Sequence, residues 1–308
     1  METKKKKKSW ESINLFQGSR GPTGKNGKRE QKKDQNRDSH QSIGNNANIG
    51  WLFAKDYYNE LERIKNQSDQ EQSTYFEHKN KGLVYKKLSD YNDELTYLHL
   101  TGNNISGFEL ETTYPGLFTG SGIPHETGTM GEFKLGFFFD HTTGLPIIPG
   151  SSIKGVLRLA FNHPDYIEHL LKEVTLDIDI EALEHEIFAG EKKDKDNKNG
   201  KIIYNPLIEC KRDIFFDAVI LKTKNKNGLF LGEDFITPHK DEFKDPVPLR
   251  FLKILPGVTF RFQFILNDGV FVKIEAKEKL ALFKKILLDL GIGAKTNVGY
   301  GKLEELEM

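Results

Sequence analysis

The sequence predicts an α+β fold, an antiparallel sheet with helices on one face. Three observations point there. Phe108-Glu109-Leu110-Glu111-Thr112 and Val258-Thr259-Phe260-Arg261-Phe262-Gln263-Phe264 alternate in polarity, as half-buried strands do. Two other stretches repeat apolar residues every three or four positions, the period of a helix face. Strands dominate after about residue 105, and the two helices fall between them.

Residues 1–44 come first and read as a disordered basic arm. Residues 1–41 hold twelve Lys or Arg against five Asp or Glu, although the whole chain balances at 45 of each. The arm is rich in Gly, Asn, Gln and Ser, with too little apolar surface to offset the entropy of ordering. It is either a solvated tail or a set of cations for a phosphate backbone. Residues 45–104 read as a helical N-terminal extension. Ile49-Gly50-Trp51-Leu52-Phe53-Ala54-Lys55, continuing to Tyr57, Tyr58 and Leu61, has helical spacing, and Lys65 to Lys81 is an exposed helix or a loop.

Residues 105–308 hold the sheet. After Phe108–Thr112, Ser152 is placed to cap a helix carrying Val156, Leu157, Ala160 and Phe161, stopped by His163-Pro164. Residues 191–201 form a charged surface loop inserted into the domain. Ile214-Phe215-Phe216 and Val219-Ile220-Leu221 read as a further strand, and Gly269 to Ile274 as the hairpin partner of 258–266. The second helix, Lys279 to Leu290, aligns Leu280, Phe283, Ile286, Leu287 and Leu290, and Gly291 ends it.

Composition excludes several classes. The single cysteine, Cys210, excludes an intrachain disulfide and any cysteine-held metal cluster. No histidines stand at metal-ligand spacing. No apolar run approaches the roughly 20 residues of a membrane span, and Lys4 to Lys8 are not followed by a secretory apolar stretch. The expectation is a cytoplasmic protein with no metal, no cofactor and no membrane partner.

Two glycine-bearing segments carry the candidate site. In Pro146-Ile147-Ile148-Pro149-Gly150-Ser151-Ser152-Ile153-Lys154-Gly155-Val156-Leu157-Arg158, the hydroxyls of Ser151 and Ser152 stand at a helix start with free amides. Lys154 and Arg158 add charge one turn apart. The same residues also fit an ordinary serine cap with two solvated cations. In Gly291-Ile292-Gly293-Ala294-Lys295-Thr296-Asn297-Val298-Gly299-Tyr300-Gly301, the glycines let a backbone pass close to a ligand. Lys295, Thr296 and Asn297 supply donors there, and Tyr300 a ring for a base. A glycine-rich hairpin turn fits this segment as well. It lacks the order of a phosphate-binding P-loop and the strand–turn–helix setting of a dinucleotide fingerprint. A third segment, Thr119 to Gly128, sets His125 beside Glu126, but neighbours on a strand face opposite ways.

The two glycine-bearing segments together resemble the RAMP superfamily of CRISPR RNA-binding proteins. Leu117-Phe118-Thr119-Gly120-Ser121-Gly122, Glu126-Thr127-Gly128, Asp217, Asp234-Phe235-Ile236-Thr237-Pro238-His239 and Pro246-Val247-Pro248-Leu249-Arg250-Phe251-Leu252 narrow the likeness. They resemble the sixth subunits of type III-B (Cmr) effector complexes, over about residues 45–303. The resemblance implies a ferredoxin-like (RRM-like) fold with insertions. It also implies partners: guide and target RNA, a backbone subunit and the first subunit of the complex. Gly150, Ser151, Ser152, Lys154, Arg158, Gly291, Gly293, Lys295, Thr296, Asn297, Gly299 and Tyr300 would then line an RNA surface. The backbone subunits of such complexes cut target RNA with an aspartate in the loop after the first strand. Here no aspartate stands between Gly120 and Phe139, and the acids are Glu126 and Glu132, with Asp140 beyond. The expectation is a non-catalytic subunit capping the filament near the 3′ part of the guide. Two alternatives stand beside it. One is a guide-processing endoribonuclease with His125 as general base and Lys134 on the phosphate. The other is a catalytic backbone subunit using Glu126, Glu132 or Asp140.

Overall fold

The computed structural model describes residues 47–98, 100–102, 104–172, 178–195, 202–237 and 248–306. The basic arm, the tip of the 191–201 insertion and the Pro238-His239 and Pro246-Val247 pairs lie outside them. The described residues belong to one compact unit, Ile43–Met308.

The extension is helical. α1 (Ile49–Ala54) begins where the Asn48 side chain accepts a hydrogen bond from the Trp51 amide, and it buries Ile49, Leu52 and Phe53. After the short α2 (Leu61–Ile64), α3 (Asp69–Val84) opens with a reciprocal capping box between Ser68 and Glu71. Most of the 65–81 stretch is therefore helix, and it buries Phe76 and Leu83. α4 (Asn92–Tyr97) leads to the sheet domain.

That domain runs β1 (Ile105–Thr112), β2 (Ile147–Ile148), α5 (Gly150–Ala160), α6 (Pro164–Lys172), α7 (Ile180–Glu184), β3 (Glu191–Lys195), β4 (Ile202–Pro206), β5 (Ile214–Phe215) and β6 (Ala218–Thr223). It continues with β7 (Leu231–Ile236), β8 (Leu249–Ile254), β9 (Val258–Ile265), α8 (Ala276–Leu290) and β10 (Leu303–Glu304). The main sheet orders its strands β10-β1-β9-β6-β2, with β5 also on β9. Its core is β1–α5–β6–β9–α8–β10, laid out as fourth, first, third and second strand, the ferredoxin-like order.

Alternation fixes the faces. β1 and β9 run antiparallel from Ile105↔Ile265 to Glu111↔Thr259, so Leu110 pairs with Phe260 and Phe108 with Phe262. These residues and Phe264 face the helices. The Phe283 ring of α8 lies 5.6 Å from both Phe215 and Phe264, and α5 buries Ile153, Leu157 and Ala160. The opposite face is polar: Arg261 pairs with Glu109 at 2.6 Å, and Gln263 donates to the Leu100 carbonyl at 3.0 Å. β7 and β8 form a separate hairpin, and Arg250 on it reaches Glu233 and Glu77 of α3 at 2.6 and 3.0 Å.

Four local expectations are corrected. Ser152 is not the cap of α5: the helix starts at Gly150 after Pro149, and no side chain of the cap residue bonds it. Its first amide donates instead to Asp217 Oδ1, at 2.7 Å. Residues 214–216 and 219–221 are two strands, β5 and β6, on either side of Asp217 and both paired with β9. Gly269 to Ile274 is a loop and not a hairpin partner. The buried Glu186 carboxylate accepts from the amides of Val270, Phe271 and Val272 at 2.6, 3.1 and 3.1 Å, which leaves them nothing to give a ladder. The 191–201 insertion begins as strand: β3 pairs with β4 from Glu191↔Pro206 to Lys195↔Ile202, and Lys193 bonds Asp179 and Glu181. Among the described residues no helix is long and apolar enough to cross a membrane.

Candidate nucleic-acid interface

The two glycine-bearing turns are far apart in sequence and meet on one short segment. Phe118 and Thr119, both buried, hold one each. The Phe118 carbonyl accepts from the Ala294 amide at 2.9 Å, and the Thr119 hydroxyl donates to the Ile147 carbonyl at 3.0 Å. Consecutive Cα atoms are about 3.8 Å apart, so the glycine-rich loop and the strand entering the Pro149-Gly150-Ser151-Ser152 turn are fixed to neighbouring points.

The glycine-rich loop is closed at its neck by the Ile292 amide donating to the Gly301 carbonyl at 2.8 Å. Two glycines are required there. A Cβ on Gly301 (φ +73°) would lie 1.8 Å from the Ile292 carbonyl oxygen, and one on Gly293 (φ +100°) would lie 2.7 Å from that of Phe118. Gly301→Ala is expected to destabilise the fold by about 2 kcal/mol or more, read as a lower denaturation midpoint, because a left-handed backbone and a backbone clash add.

Between those glycines the chain presents donors. Lys295 is left-handed (φ +65°), and Thr296 to Val298 form one 3₁₀ turn. Gly293 and Asn297 are exposed, and Lys295, Thr296 and Gly299 are half-buried. On the other turn Ser151 is exposed and Ser152 half-buried. Among the described residues, the side chains of Ser151, Ser152, Lys295, Thr296 and Asn297 form no hydrogen bond or ion pair. The Lys154 ammonium lies 5.6 Å over the Phe215 ring and is otherwise uncommitted. This set can donate to anionic or hydroxyl oxygens, and its hydroxyls and amide can also accept from a 2′-hydroxyl.

Four of the expected site residues are placed otherwise. Gly291 is buried at the end of α8, its amide donating to the Leu287 carbonyl at 2.9 Å. Tyr300 is buried, at 6% exposure. Its hydroxyl donates to Asp234 Oδ2 at 2.6 Å, the Lys253 ammonium lies over its ring, and burial pushes the phenol well above its ordinary range. It anchors the loop to the β7–β8 hairpin and has no open ring face to offer. Arg158 Nε donates to Glu184 at 2.9 Å, so its charge is engaged toward α7. Gly150 gives its amide to Asp217, so the first amide of α5 is not free for an anion. Asp217 and Phe118-Thr119 organise both turns, and their roles follow from contacts across the fold rather than from local sequence.

Most groups of the two catalytic alternatives are engaged within the fold. His125 stacks on Phe53 at 3.7 Å between ring centres. Its Nδ1 faces the Phe133 carbonyl at 3.0 Å and its Nε2 the Phe53 carbonyl at 2.8 Å. Burial pulls the imidazole below its ordinary pKa. Both nitrogens point inward, joining α1 to the 125–133 loop, and neither is directed at a 2′-hydroxyl. Glu132, 1% exposed, accepts from the amides of Thr127 and Gly128 and the hydroxyls of Thr127 and Thr129, all within 3.0 Å. Asp140 Oδ2 accepts from the amides of Thr142 and Thr143 and the Thr143 hydroxyl. Glu126 is an exposed side chain. Among the described residues no cluster of three or more His, Cys, Asp or Glu is arranged to hold a metal.

Known proteins resemble the chain at the level of family and fold. The family model of the RAMP superfamily matches residues 109–304. The CRISPR system Cmr6 subunit of Saccharolobus solfataricus is 31% identical over 229 residues, covering 72% of this chain and 66% of that protein. The chain thus spans about two thirds of that relative's length. The Cmr6 subunit of Pyrococcus furiosus is 25% identical over 265 residues, covering 72% of this chain and 73% of that protein. Among solved structures, a chain of the type III-B Cmr-β complex bound to cognate target RNA superposes with a TM-score of 0.50 at 21% identity. It covers 84% of this chain and 92% of its own, a likeness of fold.

Proposed function

Because the chain belongs to the RAMP superfamily, we propose that it is a non-catalytic, RNA-binding subunit of a type III-B CRISPR effector complex. In this reading it caps the backbone filament near the 3′ part of the guide RNA, against a backbone subunit and the first subunit, and works in the cytoplasm. One observation carries the reading: two turns held by consecutive residues, Phe118 and Thr119, present uncommitted donors on Ser151, Ser152, Lys154, Lys295, Thr296 and Asn297. Small hydroxyl and amide groups with two lysines suit phosphates and 2′-hydroxyls, which every guide carries alike. The relatives named Cmr6 support the choice of complex. The inward use of Glu132, Asp140 and His125 supports a subunit that holds RNA without cutting it.

The test is RNA binding by the full chain across a salt series. Lys295→Ala and Lys154→Ala are each expected to weaken binding equally for unrelated guide sequences. Each should also lower the slope of log affinity against log salt by about one. A loss that depends strongly on guide sequence would overturn backbone readout. Co-purification with a guide RNA and paralogous proteins bearing the same glycine-rich ending tests the assembly.

A further inference from the structure

The displaced role of Tyr300 leaves the donors without an aromatic partner, and the fold supplies one from another segment. The turn Thr113-Tyr114-Pro115-Gly116 directly follows β1 and lies along the neck of the glycine-rich loop. The Gly301 amide donates to the Gly116 carbonyl at 2.9 Å, and the Thr113 amide donates to the Lys302 carbonyl at 3.1 Å. A Cβ on Gly299 would stand 3.5 Å from Pro115 Cδ. On this turn Tyr114 is 85% exposed, the most exposed large side chain among the described apolar and aromatic residues. Its ring makes no aromatic, cation or hydrogen-bond contact among them. Gly299, which touches this turn, is two residues from Asn297.

We propose that Tyr114 is the platform on which a base of a single-stranded RNA stacks while the 295–297 donors hold that strand's sugar–phosphate. The proposal rests on the RNA-binding reading above. A ring tolerates every base, since each has a π-face, so it adds affinity without reading sequence. An exposed tyrosine can instead anchor a protein partner in an apolar pocket. The adjoining loop favours RNA: its 295–297 segment carries an uncommitted lysine, a hydroxyl and an amide between glycines, and Val298, 66% exposed, is the one apolar side chain of its 296–298 turn.

The experiment uses the full chain with a single-stranded RNA probe of mixed sequence carrying 2-aminopurine, whose fluorescence is quenched by stacking. Tyr114→Ala is expected to weaken binding about 5- to 150-fold, the range of one lost stacked base, and to relieve the quenching in the bound state. Tyr114→Phe should keep both within about twofold. The salt slope should stay at the wild-type value in both variants, in contrast to Lys295→Ala. Wild-type affinity and quenching in Tyr114→Ala, with Lys295→Ala still impaired, would overturn the platform and leave the RNA reading standing. No RNA binding by the wild-type chain would overturn both. Because the ring is exposed, an unchanged melting temperature in each variant shows that the effect is not unfolding.

Discussion

Lys279→Met is expected to cost about 3–5 kcal/mol of stability near neutral pH, because it leaves a buried carboxylate without its partner. The Lys279 ammonium and the Asp213 carboxylate meet at 2.8 Å with side chains 2% and 1% exposed, and the other Asp213 oxygen accepts from the Asn267 amide. The pair ties α8 to the segment entering β5, across the layer that joins helices to sheet. For a unit of this size the loss corresponds to a melting temperature lower by roughly 10 °C. The pH dependence has a definite sign. Burial pushes the Asp213 carboxyl up, and the Lys279 ammonium pulls it back. With methionine at 279 only the Asn267 amide still opposes the upward push, so the folded pKa rises further above the unfolded value. The stability tied to a protonated Asp213 is then fully present below the unfolded carboxylate range and is lost as pH rises through the folded pKa. The deficit against wild type should therefore shrink on acidification, and Asp213→Asn in the Lys279→Met background should recover part of it at pH 7. A deficit that stays constant from pH 4 to pH 8 would show that the carboxylate is not the source.

How much of this was legible in the chain follows the range of each interaction. The strand 258–264 and the helix over 279–290 are written in local periodicity, and both appear where the pattern puts them. The two donor turns are legible too, since glycine and proline set turns locally. Three misread features answer to a distant residue. Ser152 is not a cap because α5 starts at Gly150, whose amide is taken by the carboxylate of Asp217, 67 residues beyond that glycine. Gly269 to Ile274 alternates like a strand, yet Glu186, 84 residues earlier, claims three successive amides. Tyr300 is drawn into the fold by Asp234, 66 residues away, and the exposed ring comes from the turn after β1. Aromatic and carboxylate residue types could be read from sequence; whether each faced inward or outward could not, because burial is decided by the partner segment.

The same inward-or-outward question decides the acids of the 120–140 region, and Glu132→Gln tests it. An acid at this place in the chain reads as a candidate for RNA cleavage, and removing a cleaving carboxylate would abolish target cuts while leaving the fold intact. The geometry predicts the reverse. The carboxylate is surrounded by two amides and two hydroxyls of its own loop. An amide in its place would turn an NH₂ toward those donors. Charge-assisted bonds are each worth about 1.5–3 kcal/mol, so losing several should cost about 3 kcal/mol or more, and 5–10 °C in melting temperature. The damage would spread, because this loop carries His125 and Phe133, which hold Phe53 of α1 and Tyr57 just after it. Thermal melting of the variant and target cleavage by an assembled complex, assayed well below that melting point, separate the outcomes. The expected result is a less stable subunit with an unchanged spacing of cuts. A fully stable Glu132→Gln subunit whose complex loses cuts would restore the carboxylate to catalysis and remove the non-catalytic reading.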